Sequence, residues 1–149
     1  MTITDTIGYI SVTDANDYIS SHFLSDNAQR TKWEALADED KIVLVTRAYE
    51  DIDNLKFAGN KSTYEQTTQF PRSGSKIIPT EVKHAQVLQA ISYLADNSGF
   101  DAIRNGIAAE SVGSLSTTYN TKLVGQMKIQ SSDAYKLIYK FIKKSWDII

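Results

Sequence analysis

The sequence predicts a mainly α fold: a small helical bundle with a β-hairpin or long strand pair inserted before the C-terminal helix. Three observations carry this. Apolar residues recur three and four apart in two long stretches, Ile42 to Leu55 and Val82 to Ala95. The period changes to two after Ala109. The only prolines, Pro71 and Pro79, sit together in the middle of the chain, where neither can lie inside a helix.

Taken in order, Tyr9-Ile10-Ser11-Val12 reads as a short extended entry. Thr13 is then placed to cap a helix reaching about Phe23, with Asp14 and Asp17 near its positive end and Ala15, Tyr18, Ile19 and Phe23 as its apolar stripe. A polar break at Ser25-Asp26-Asn27 leads to a short helical turn around Lys32 to Leu36. Asp38, Glu39 and Asp40 open the next helix, whose apolar positions are Ile42, Val45, Ala48, Tyr49, Ile52 and Leu55, and Gly59 to Ser62 break it. Residues 63–68 are polar, a short helix or a plain loop.

Phe70-Pro71-Arg72-Ser73-Gly74 forms an extended segment and a turn, with Gly74 supplying a backbone conformation that a Cβ would disfavour. After Pro79, Thr80 is placed as the cap of a long helix. Val82, Ala85, Leu88, Ile91, Leu94 and Ala95 line one side, with Glu81, Lys83, Gln86 and Gln89 largely on the other. Asp96 to Gly99 end it, and 100–107 is left between helical turn and loop. Val112, Leu115, Thr117 and Tyr119 around Gly113 read as the β element. Ser131 or Ser132 caps the last helix, with Ala134, Leu137, Ile138, Phe141 and Ile142 inside and Lys136, Lys140, Lys143 and Lys144 outside.

At 149 residues the chain reads as a single domain spanning 1–149, with 42% hydrophobic and 23% charged residues. Without cysteine there is neither a disulfide scaffold nor a thiolate nucleophile. No leader and no membrane-length apolar run are expected, so the sequence predicts a soluble intracellular product and no membrane partner. Net charge is −2 but polarised: residues 1–60 carry eleven acidic and five basic side chains, and 120–149 carry six lysines against Asp133 and Asp147.

Chemistry-bearing motifs are sparse, and no enzyme, cofactor or metal site is expected. His22 and His84 lack partners at metal-ligand spacing. Ser73-Gly74-Ser75-Lys76 matches an Ser-x-x-Lys pattern without the companion motifs in order. Asp51 and Asp53 diverge around a helix. Tyr135-Lys136, Tyr139-Lys140-Phe141, Lys143-Lys144 and Trp146 interleave bases with aromatics, as single-stranded nucleic acid requires. The same spacing also describes a core stripe with a solvated lysine face. The apolar terminus, residues 145–149, reads either as a tail docking into another chain or as one folding back.

Several segments together resemble one family: Tyr9 to Tyr18, Trp33-Glu34-Ala35-Leu36, Thr46-Arg47-Ala48, Phe70-Pro71-Arg72-Ser73-Gly74, Ile78-Pro79, Val82-Lys83-His84-Ala85 and Glu110-Ser111-Val112-Gly113. This is similar to the head–tail connector (adaptor, head-completion) proteins of tailed bacteriophages. Related sequences carry the label DnaT-like single-stranded-DNA-binding protein. Members usually have Trp where this chain has Phe70. The resemblance implies a virion protein made in the host cytoplasm, in a ring of twelve copies between the capsid portal protein and the next tail or head-completion protein. Genomic DNA would pass through the ring unread. It implies scaffold or inter-subunit roles for Phe70, Pro71, Arg72, Gly74 and Pro79, and neighbour contacts for Val112, Gly113, Leu115 and Tyr119. Portal docking would fall to Lys143, Lys144, Trp146, Ile148 and Ile149. The alternative it leaves open is a replication-associated single-strand binder.

Overall fold

The computed structural model describes residues 1–95, 109–112, 115–118 and 129–144. Strands β1 (Thr6–Ile7) and β2 (Ile10–Ser11) form a small antiparallel ribbon with Ile7 opposite Ile10. Gly8 turns the ribbon at φ +66, and a Cβ there would lie 2.1 Å from a ring carbon of Tyr49. Both the backbone angle and the space therefore demand glycine.

Ser11 is extended and accepts from the Asp14 N–H, so it caps helix α1 (Val12–His22). The expected cap, Thr13, lies instead in the first turn and donates its hydroxyl to the Ile3 carbonyl. Helix α2 (Ala28–Glu34) is longer than the expected turn, because Asn27 caps it through the Arg30 N–H. Its Trp33 is 1% exposed and donates Nε1–H to Asn16 at 2.8 Å.

Helix α3 (Asp38–Asp53) begins with three acidic residues against its N-terminal dipole and buries Val45, Ala48 and Ile52. It stops at Asp53, before the glycine break. Residues 63–68 are loop.

Helix α4 (Thr80–Ser92) follows Pro79, which occupies the N-cap position itself. Thr80 is the first helical residue, not the cap. The larger correction concerns Gln86 and Gln89, expected outside but wholly buried. Burying an amide is tolerable only when it is hydrogen-bonded, and these are. Gln86 accepts from the Tyr9 N–H and donates to the carbonyls of Ile7 and Val45. Gln89 donates to Asp51 and accepts from the Ser131 N–H. Helix α4 is thus buried nearly all round, and the chain packs about it. The expected stop at 96–99 and the residues 100–107 lie outside the described residues.

Strands β3 (Ala109–Val112) and β4 (Leu115–Thr118) pair antiparallel, with Val112 opposite Leu115. The fold is the expected one, helical with a hairpin before the last helix. Gly113 and Tyr119 lie outside the described residues. Helix α5 (Ser132–Ile138) is capped by Ser131 and continues into a 3-10 turn, Tyr139–Phe141. Two apolar clusters lie along α4. One joins α1, α2 and α3 around Trp33, Val45 and Val87. The other joins Tyr9, Phe57, Phe70, Val82 and Ile138.

Candidate nucleic-acid interface

The aromatic-Pro-Arg segment is spent on its own chain. Phe70, 2% exposed, packs edge-on against Phe57 (4.7 Å between ring centroids), Phe141 (5.5 Å) and Tyr9 (6.0 Å). The Phe70–Pro71 peptide is cis. Arg72 donates Nε–H to Ala58 O at 3.0 Å, Nη1 to the backbone and side-chain oxygens of Gln69, and Nη2 to the carbonyls of Phe57 and Gly59. That uses all five guanidinium donors. Burial holds the Arg72 pKa below its ordinary value. Ser73 and Gly74, both at positive φ, turn the chain outward, and the run to Pro79 leads into α4.

A cleft of about 310 Å³ opens between this segment and the 3-10 turn, bordered by Arg72, Ile77, Pro79, Lys140 and Phe141. Of the interleaved bases and aromatics, Lys140 and Phe141 line it, while Tyr135, Lys136 and Tyr139 lie along the same edge of α5 and its 3-10 turn. Tyr135 and Tyr139 stand one turn apart with ring centroids 5.7 Å apart. Tyr139 is 49% exposed, and the Lys144 ammonium sits 4.1 Å from its ring centre. The Lys140 ammonium lies 5.3 Å from the Phe141 ring and pairs with Glu81, whose pKa that contact lowers. Lys136 lies 3.7 Å from Asp133 at the exposed surface.

Lys143 and Lys144 are not the solvated outer face expected of them. The Lys143 N–H bonds to Lys56 O, and the Lys144 ammonium caps the carbonyls of Tyr139 and Ile142. Both are half-buried, and Ile142 beside them bridges to Phe57, which holds this segment against the body. Phe141 and Ile142 are half-buried, as is Leu137. Trp146, Ile148 and Ile149, with the whole of 145–149, lie outside the described residues. Among the described residues no group of three or more potential metal ligands converges, and no helix is long and apolar enough to cross a membrane.

The helical body thus carries a basic-aromatic edge on α5 and its 3-10 turn. The chain belongs to the family described as "Putative DnaT-like ssDNA binding protein", whose model matches residues 1–148. No curated protein and no solved structure matches it. The family description names single-stranded DNA and no virion component. The expectation of a phage head–tail connector, with its portal and ring partners, is corrected accordingly.

Proposed function

We propose that this protein binds single-stranded DNA through the edge formed by α5 and its 3-10 turn, as a binding module without chemistry of its own. The observation that carries the reading is the half-exposed Tyr139 ring with the Lys144 ammonium held against it. With the ammonium over one face, the other face of the ring can take a base while the cation meets the phosphate of the same nucleotide. Lys136 and Lys140 lie on the same element, paired with Asp133 and Glu81 and available to exchange them for phosphates. Membership of the DnaT-like family supports the same ligand.

Charge explains why most phosphate contacts would lie at this end. The whole chain is at −2, and its first 60 residues at −6 repel a polyanion. The test is competition between a single-stranded oligonucleotide and its duplex by fluorescence anisotropy at low salt. The reading predicts clear preference for the single strand, because stacking on Tyr139 needs an unpaired base. Equal affinity for the duplex would contradict it.

A further inference from the structure

A second cleft, about 510 Å³, lies between the β1–β2 ribbon, α1 and the start of α4. Its size falls within the roughly 300–1,000 Å³ of small-ligand sites. Asp14, Asp17, Tyr18 and His22 occupy one stripe of α1, and Lys83 and His84 face them from α4. Three rings gather there. Tyr18 stacks on His22 with centroids 3.9 Å apart and 14° between planes, and His84 lies 4.4 Å from Tyr18. The two imidazoles are 6.1 Å apart.

The polar groups have a sense. His22 Nδ1 is engaged by the Tyr18 carbonyl at 3.0 Å and the Ser21 hydroxyl at 2.9 Å, which leaves Nε2 for a ligand. The carboxylates of Asp14 and Asp17 make that wall rich in acceptors. Lys83 offers one cation opposite. The complementary ligand is a flat ring with an N–H edge and an attached anion.

This cleft also adjoins the proposed DNA-binding edge. Ile78 lines it, while Ile77 and Pro79 line the cleft beside Lys140, so one extended segment is the wall between the two.

We propose that the Tyr18–His22–His84 cleft takes one unstacked, amino-bearing nucleobase, cytosine or adenine, in preference to thymine. Delivery of that base by a strand rests on the single-strand reading above. The rings supply the stacking surface, the acceptor wall takes the exocyclic amine, as carboxylates take the cytosine amine in duplex readout, and Lys83 meets the phosphate. Thymine presents a carbonyl where cytosine presents the amine.

The experiment titrates the full chain with dCMP and with dTMP, following the imidazole proton resonances of His22 and His84, and compares short oligodeoxycytidylate with oligodeoxythymidylate. The expected result is that dCMP moves both histidines more than dTMP does, and that the cytidylate strand binds several-fold tighter. His84→Ala and Asp17→Asn should each erase that difference without changing the salt slope, since no phosphate contact is removed. Asp17→Asn keeps the ring cluster intact should His84→Ala disturb packing. Equal binding of both strands, with unmoved histidines, overturns the cleft and leaves the α5 edge standing. Histidine shifts with dCMP but no oligonucleotide binding support the cleft as a nucleotide site and overturn the edge. Neither shift nor binding overturns both.

Discussion

The Tyr9 hydroxyl donates to the Asp53 carboxylate while accepting from the backbone N–H groups of Gln69 and Phe70, at 3.1 and 3.3 Å. One phenol thereby fixes the ribbon, the end of α3 and the aromatic-Pro-Arg segment to one another. Burial, and then Asp53, push its pKa well above the ordinary tyrosine range, so it remains a donor. Tyr9→Phe leaves the buried Phe70 N–H without this acceptor. Asp53 keeps only Tyr49 and the Gln69 N–H among its bonds here. A loss of about 1–3 kcal/mol is expected by urea unfolding.

Arg72 makes a second, independent case. Lysine keeps the charge but lacks the planar fork, and it cannot reach four residues' oxygens at once. Arg72→Lys should cost about 2–4 kcal/mol by leaving carbonyls of Phe57, Ala58 and Gly59 unpaired. A midpoint within error of the parent would show that these bonds contribute nothing net.

The two turn glycines should behave differently. Both Gly8 and Gly74 sit at positive φ, which costs alanine about 1–2 kcal/mol. Only Gly8 also meets a side chain, whereas Gly74 has nothing within 4 Å. Gly74→Ala should therefore show the backbone cost alone, and Gly8→Ala considerably more, measured as thermal midpoints under matched conditions.

Burial, with His22 adding repulsion and Glu81 opposing it, holds the His84 pKa below 6.5. Folded His84 binds its proton more weakly than the unfolded chain does, so acid favours unfolding. The contribution of the neutral ring is full above 6.5 and falls away as pH drops below it. The Glu81 contribution is lost only lower, below 4.5, because its pKa is depressed by Lys140. Thermal midpoints should fall between pH 6.5 and 4.5, and His84→Gln should flatten that decline. An unchanged slope in the variant would assign the titration elsewhere.

What the sequence made legible follows from range. Helix α3, the hairpin and the inner face of α5 are written in local spacing, which needs no knowledge of partners. Helix α2 was underestimated because it buries only Trp33, which gives no stripe to read. Gln86 and Gln89 were misplaced because their bonding partners, Tyr9, Val45, Asp51 and Ser131, are distant in sequence. Polarity alone then sends an amide outward. Ser11 and Thr13 are equally good caps by type, and only the observed extended geometry at Ser11 separates them. At the candidate site, alternating lysines and aromatics were visible on one short helix. The His22–His84 approach was not, since it depends on how α1 crosses α4.

The central claim, that α5 and its 3-10 turn hold single-stranded DNA, is tested most directly by the salt dependence of oligonucleotide affinity. The measurement compares the parent chain with a variant combining Lys140→Ala and Lys144→Ala. For single strands the slope of log affinity against log salt is about −0.7 per phosphate neutralised. The account predicts steep dependence in the parent and a slope shallower by about 1.4, two such contacts, in the variant. The same slope in both, or no binding by the parent at low salt, would contradict it.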